Sequence, residues 1–126
     1  HMIPLAFILA LIAVESGGND GAVGDNGRAL GCLQIHAGVV ADVNRVAGTK
    51  FKHRDALDRR NAIYMCRIYL WHHCPPGASL EVMARTWNGG PSGVYSSKTD
   101  NYWSKVRHHL LSYENPDPHS RGPRRL

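Results

Sequence analysis

The stretch IPLAFILALIAVESGGN, residues 3–19, decides how the rest of the chain is arranged. Its first twelve residues, 3–14, are almost all apolar and predict a buried helix. Pro4 suits the first turn of that helix, where a missing N–H costs nothing. The two glycines at 17–18 predict the helix end, because glycine adopts the left-handed cap geometry without strain. The helix therefore carries Glu15 to its own C-terminal end.

Glu15 is poorly placed there for stability. The C-terminus of a helix carries partial negative charge, which opposes a carboxylate by roughly 0.3–1 kcal/mol. Partial burial beside Ala13 and Val14 also disfavours the charged form of the side chain. Both effects raise the pKa of the carboxyl group, as a general acid that works near neutral pH requires. The alternative, judged from position alone, is that Glu15 is an ordinary solvated glutamate at a helix end and not a general acid.

The composition is that of one globular domain. The chain has 126 residues, of which 43% are hydrophobic and 20% charged, enough for one core but not for two. We expect residues 3–112 to form the domain, 113–126 to be a polar, disordered tail and 1–2 to be a remnant of expression. The net charge of +5 favours anionic polymers such as nucleic acid, anionic lipid or bacterial wall, without choosing among them.

The apolar run at 3–14 is too short for a membrane span, so none is expected. It also lacks the basic leader and the small-residue cleavage site of a signal peptide, which leaves the route of export open. The basic residues are scattered and no recognition helix stands out, so a nucleic-acid binder is the weakest interpretation. We expect a monomer.

Cysteines and histidines do not indicate a metal site. Cys32, Cys66 and Cys74 are an odd number, which favours reduced, mostly buried thiols, although the last two would be able to pair if their helix ends before Pro75. The cysteines and histidines at 66–74 do not have the spacing of a zinc site, and the histidine pair at 108–109 does not either. Adjacent histidines also point to different sides of a helix, so they do not converge on one metal ion. We expect no metal and no cofactor.

The remaining sequence predicts a mainly α (α+β) domain with about five helices around a core and one small β-hairpin. Six glycines at 16–31 and the turn signal DNG at 25–27 mark the hairpin. Apolar residues at helical spacing predict a helix at 36–47, which ends at Gly48. A second helix is expected from an N-cap at Asp55 to about His73. Two further helices are expected. The first runs from an N-cap at Ser79 to the glycines at 89–90, and the second begins at Thr99, after a loop at 92–97.

Four short motifs follow one another at sensible spacing: ESG at 15–17, GCLQI at 31–35, WNGG at 87–90 and Tyr102 within NYWSKV at 101–106. In this combination the chain resembles the catalytic domain of soluble lytic transglycosylases, which shares the lysozyme-like fold with goose-type lysozyme. The resemblance covers roughly residues 3–111. It departs from the family pattern at Cys32 and Leu33, where a large aliphatic and a methionine are more usual, and these changes would narrow or soften a subsite.

The resemblance implies cleavage of the MurNAc–GlcNAc β-1,4 bond in the glycan strands of peptidoglycan. Glu15 stands where the family has a single glutamate that protonates the glycosidic oxygen. The substrate's 2-acetamido group then attacks the anomeric carbon, and the same glutamate activates the 6-hydroxyl to give a 1,6-anhydro end. The resemblance also implies action in the periplasm, in the cell envelope or as a phage-associated enzyme.

The resemblance further implies a substrate-binding set, namely Ser16, Gln34, Trp87, Asn88, Gly89 and Tyr102. Ser16 would orient Glu15, or be merely a polar residue at a helix end. Gln34 would turn its amide to the sugar, or face solvent from a strand. Asn88 and Gly89 would bring backbone close to the glycan, or Gly89 would only end a helix.

Two aromatic residues have similarly open roles. Tyr102 matches a tyrosine near the acetamido group, where its hydroxyl would stabilise an oxazolinium-like intermediate; the alternative is core packing. Trp87 stands where tyrosine is more usual, so a phenolic hydroxyl is missing there. Its indole ring offers a face for stacking on a sugar, but burial in the core is at least as well supported.

The number of carboxylates separates the possible activities. Glycosidases commonly use two, about 5–5.5 Å apart when retaining and about 6.5–9.5 Å when inverting. A substrate that supplies its own nucleophile needs only one acid, and only Glu15 ends a buried helix. Asp20 and Asp25 keep a hydrolytic muramidase open, because either would hold a water, although turn chemistry also explains Asp25. A catalytically silent glycan-binding or assembly module is the alternative of another class.

Overall fold

The computed structural model describes residues 2–114 of the chain. Five α-helices and one two-stranded antiparallel sheet make up this part: α1 Leu5–Ser16, β1 Val23–Gly24, β2 Ala29–Leu30, α2 Ala37–Ala47, α3 Arg59–His73, α4 Leu80–Gly89 and α5 Asp100–Glu114. The predicted mainly α, lysozyme-like fold with one small hairpin is confirmed. Helix α5 extends two residues beyond the predicted end of the domain. The rest of the predicted tail, residues 115–126, lies outside the described residues.

Helix α1 is the centre of the core. Five of its side chains are buried, among them Phe7 and Leu11, because the helix is apolar around its whole circumference. It ends at Gly17, whose φ of 64° is left-handed and whose N–H donates to the carbonyl of Ala13, as predicted. Pro4 is the N-cap residue rather than part of the first turn. Helix α5 packs against α1.

The hairpin is short and conformationally strained. Val23 pairs with Leu30 and Gly24 with Ala29, around a 3₁₀ turn at 25–27. Within the described residues, the non-glycine residues with positive φ are Asp25 at 50°, Asn26 at 56° and Gln34 at 51°. All three belong to the segment from the hairpin to the start of α2. Left-handed backbone is unfavourable for residues with a Cβ, so the surrounding contacts must hold this segment in place.

The start of α3 corrects one prediction. Asp58, not Asp55, caps this helix, because its carboxylate accepts the N–H of Asn61 at 3.0 Å. Asp55 instead lies in a 3₁₀ turn at His53–Leu57 and accepts the N–H of Lys52 at 2.7 Å. Two aspartates three residues apart offer the same cap signal, and the extra 3₁₀ turn selects the second.

The other predicted boundaries agree closely with the structure. Helix α2 has His36 as its N-cap and Gly48 as its C-cap. Ser79 caps α4 through the N–H of Val82. The predicted loop at 92–97 contains two 3₁₀ turns, Gly93–Tyr95 and Ser97–Thr99, and α5 begins one residue after Thr99. No helix within residues 2–114 combines the length and the apolar character needed to cross a bilayer.

The three cysteines are free thiols and all are buried, as predicted. Burial raises the pKa of Cys32 to about 11, and it raises the pKa values of Cys66 and Cys74 as well. The alternative pairing of Cys66 with Cys74 is not formed.

Candidate active site

A groove of about 480 Å³ opens at the C-terminal end of α1, within the range of small-ligand sites. Glu15 lines it together with two groups of residues. The hairpin lining comes from the β-hairpin and the chain up to α2, and consists of Asp25, Ala29, Gln34, Ile35 and His36. The helical lining comes from α2, α3 and the end of α4, and consists of Val39, Tyr69, Trp87, Asn88 and Gly90.

Glu15 is held in this groove as a half-buried acid. The hydroxyl of Tyr102 donates a hydrogen bond of 2.9 Å to its Oε2 atom. Burial raises the pKa of Glu15 from 4.5 to about 7, while the hydrogen bond from Tyr102 and, to a smaller extent, the nearby indole N–H of Trp87 act in the opposite direction. The predicted rise in pKa is confirmed, and desolvation is its main cause. The side chain therefore exists in both protonation states near neutral pH, which allows it to donate and to accept a proton.

Tyr102 lies behind Glu15 rather than in the groove lining. Only 9% of the residue is exposed, and it reaches Glu15 from α5. Burial raises the pKa of Tyr102 well above its usual range, and the charge of Glu15 adds to the rise. The hydrogen bond of this hydroxyl is thus directed at the acid and not at an open sugar site. The structure agrees with the alternative of core packing for Tyr102, and the role at the acetamido group stays a prediction.

Ser16 does not orient Glu15 by a hydrogen bond, which corrects the prediction. Its hydroxyl donates to the carbonyl of Cys32 at 2.8 Å and lies 3.3 Å from that of Ile12. It also accepts the backbone N–H groups of Gly18 and Asn19. Ser16 therefore fastens the loop after α1 to the chain beyond the hairpin, because one hydroxyl serves both as donor and as acceptor.

Gln34 lines the groove, as expected of an amide that faces a sugar. Its Nε2 atom donates to the carbonyl of Gly31 at 3.0 Å and lies 3.4 Å from that of Ala22. A Cβ atom on Gly24 would overlap the Oε1 atom of Gln34. The amide nitrogen is thus occupied within the hairpin, and a side chain at position 24 would displace the amide oxygen of Gln34.

Three of the four residues of the WNGG motif line the groove. Trp87 and Asn88 line the groove, and so does Gly90. Gly89 does not, and a Cβ atom there would lie 2.8 Å from Cγ2 of Thr99. The expectation that Gly89 brings backbone close to the glycan is therefore replaced by a packing reason for this glycine.

The structure separates the two candidate second carboxylates. Asp20 lies outside the groove lining and pairs with Arg59, 2.7 Å from its Nε atom. Asp25 lines the groove with Glu15, and its carboxylate lies 3.0 Å from Arg28 and 3.6 Å from His36. Of the two, only Asp25 lines the same groove as Glu15.

Tyr69 and His36 are among the groove residues that were not predicted from the sequence. Tyr69 has the spacing of a core-facing residue in α3, and 8% of it remains exposed, yet it lines the groove. His36 comes directly after the motif at 31–35, and this adjacency was the available signal. No group of three or more histidines, cysteines, aspartates or glutamates within residues 2–114 is arranged to hold a metal ion.

A comparison with protein families finds one that covers most of the chain. The family model described as Transglycosylase SLT domain matches residues 1–110. No curated protein matches the chain.

Proposed function

The chain belongs to the transglycosylase SLT domain family, which acts on peptidoglycan of the bacterial cell wall, and we propose that Glu15 is its single general acid and base. The proposed reaction cleaves the MurNAc–GlcNAc β-1,4 bond without water and leaves a 1,6-anhydro-MurNAc end. The observation that carries this proposal is that Glu15, at the end of a buried helix, lines the groove and has a pKa of about 7. Such a group is protonated often enough to donate and is basic enough, once ionised, to accept.

In the first step Glu15 protonates the glycosidic oxygen while the C1–O bond breaks. Because Oε2 already accepts the hydroxyl of Tyr102, we assign the transferable proton to Oε1. The carbonyl oxygen of the 2-acetamido group forms a bond to C1, so that the developing positive charge passes to the acetamido group as an oxazolinium ion. The GlcNAc unit leaves with the proton, and Glu15 is left as a carboxylate that the Tyr102 hydrogen bond stabilises.

In the second step the carboxylate of Glu15 takes the proton of the 6-hydroxyl group. The O6 atom then attacks C1 and displaces the acetamido oxygen, which gives the anhydro sugar. The proton returns to Glu15, so the two steps balance and require no cofactor. No second carboxylate is needed, because the substrate supplies both nucleophiles.

The surrounding residues receive roles according to where they lie. Gln34, Trp87 and Asn88 line the groove and are assigned to substrate binding. Tyr102 is assigned as a positioning residue, since it contacts the acid and not the groove. Ser16 supports the loop after α1.

Digestion of purified sacculi followed by mass spectrometry of the muropeptides tests the proposal. The expected products carry anhydro ends, which are lighter than hydrolysed ends by one water. Glu15→Gln should abolish product formation while the protein still sediments with sacculi. If the unsubstituted protein binds sacculi and releases nothing, the alternative of a silent binding module replaces the enzyme.

Hydrolysis is the second candidate, and the placement of Asp25 in the same groove favours it. In that reaction Asp25 holds a water that attacks C1, and the products have reducing ends. Asp25→Asn separates the two candidates. It should remove products with reducing ends if Asp25 holds the water, and the products should still carry anhydro ends if it does not. The same mass spectra supply both measurements.

A further inference from the structure

Two aromatic rings of the helical lining contact each other at the groove. Tyr69 of α3 and Trp87 of α4 pack edge to face, with ring centroids 5.5 Å apart. Both rings line the cavity that contains Glu15. Aromatic rings at a saccharide site bind through the apolar faces of sugar rings, so the orientation of this pair determines how well a sugar stacks.

His73 supports this pair from behind. It lies one helical turn beyond Tyr69, and the centroids of the two rings are 4.4 Å apart. The side chain of His73 is only 16% exposed. It does not line the groove, so it acts on a bound sugar only through Tyr69.

His73 is in turn fixed by a residue of another helix. Its Nε2 atom lies 2.6 Å from Oδ2 of Asp42, which belongs to α2. Hydrogen bonds from Arg45 and His73 hold the pKa of Asp42 below its usual value, so the carboxylate is ionised and only accepts. The hydrogen of this bond is therefore carried on Nε2 of His73, and α2 and α3 are tied together at this point.

We propose that the Asp42–His73 hydrogen bond is a positioning element for substrate, which holds Tyr69 against Trp87 so that the aromatic pair accepts a sugar ring. This inference rests on the proposed function, since it assigns the groove to glycan. It adds two residues outside the groove to those that determine affinity. Because Val39 of the groove lies one turn before Asp42, the same bond also sets the separation of α2 from the aromatic pair.

The matched variants separate the bond from the packing of the ring. Asp42→Ala and His73→Phe remove the hydrogen bond, and the phenylalanine keeps a ring beside Tyr69. Asp42→Asn keeps an acceptor oxygen and should restore the function. Arg45→Ala is the control, because Arg45 bonds to the same carboxylate from a side chain that is 63% exposed.

The readouts are KM and kcat on soluble peptide-free glycan strands and the indole N–H resonance of Trp87, assigned with Trp87→Phe. Asp42→Ala and His73→Phe should raise KM about fivefold to tenfold, leave kcat within about twofold and move the Trp87 resonance. Asp42→Asn and Arg45→Ala should resemble the unsubstituted protein. The proposal is overturned if KM stays unchanged in both bond-breaking variants, or if the Trp87 resonance does not move.

Failure of the proposed function would be seen separately. If the unsubstituted protein cleaves no glycan, the dissociation constant of a GlcNAc–MurNAc tetrasaccharide replaces KM in the same comparison. The resonance of Trp87 requires no turnover in either case. A variant that does not fold is recognised by its circular dichroism, and the other bond-breaking variant then decides the result.

Discussion

Glu15 and Asp25 line the same groove, but the chain holds them by different means. Glu15 ends a buried helix, and Tyr102 on the adjacent helix α5 bonds to it. Asp25 lies in a short hairpin at positive φ, is about half exposed and is surrounded by partners from its own segment. The comparison teaches that the acid takes its position from the core, whereas the hairpin depends on local contacts that oppose backbone strain. Substitutions on the core side, at Glu15, and on the hairpin side, at Asp25, should therefore have different kinds of effect.

The largest difference is expected in catalysis. Glu15→Gln should lower kcat by roughly 10²–10⁴-fold, because it removes the group that transfers the proton. Asp25→Asn, the matched change on the hairpin, should lower the formation of anhydro product by less than about tenfold. Initial rates of anhydro-muropeptide formation measure both. Equal losses in the two variants would mean that both carboxylates take part in the proton transfer.

The next difference concerns stability and pH. The pKa of Glu15 is about 7 in the folded protein against an ordinary value of 4.5, so between these pH values the native state keeps a proton that the unfolded chain has released. Stability should therefore fall as the pH rises from about 4.5 to 7, by about 3 kcal/mol from this one group. Urea unfolding at several pH values, compared with Glu15→Gln, isolates the contribution. Parallel curves for the two proteins would contradict it.

A smaller effect is expected at Tyr102. Its hydrogen bond lowers the pKa of Glu15, so Tyr102→Phe should raise that pKa and move the alkaline limb of the pH–rate profile to higher pH. The value of kcat should fall by about threefold to tenfold, since the carboxylate loses one stabilising donor. Tyr95→Phe is the control, because Tyr95 is 89% exposed. A profile that moves to lower pH would contradict the assigned direction of the hydrogen bond.

The smallest effect is expected in the hairpin turn. Asn26 has a φ of 56°, and a residue with a Cβ and no short polar side chain is disfavoured there. Asn26→Ala should cost about 1 kcal/mol of stability, whereas Asn26→Gly should change it by less than about 0.5 kcal/mol. Thermal unfolding measures the pair. If both variants are equally stable, the turn does not hold the strain attributed to it.

The sequence predicted the core side of this comparison better than the hairpin side. An apolar run and a pair of glycines were enough to locate α1, its end and the raised pKa of Glu15, because these depend on local pattern and burial. The hairpin was also recognised from its turn residues. The hydrogen bonds that hold the chain around the hairpin were not predicted. Those of Ser16 to Cys32 and of Asp20 to Arg59 join residues that are distant in sequence.

The same reason explains the missed residues. The helical spacing of α3 places Tyr69 on the side that faces the core. Its ring also lines the groove, because it packs against Trp87 of α4 there. The cap of α3 moved from Asp55 to Asp58 because a 3₁₀ turn precedes the helix. Local patterns therefore located the elements, and the packing of elements determined which side chains reach the groove.

The burial of all three thiols has a practical consequence for studying the hairpin in solution. A thiolate is the reactive form of cysteine, and burial with a raised pKa keeps Cys32, Cys66 and Cys74 protonated at neutral pH. A cysteine introduced at Val23, which is 64% exposed on β1, would therefore be labelled selectively by a maleimide dye. The native cysteines need no replacement, so fluorescence from one dye would follow the movement of the hairpin in a protein with an unaltered core.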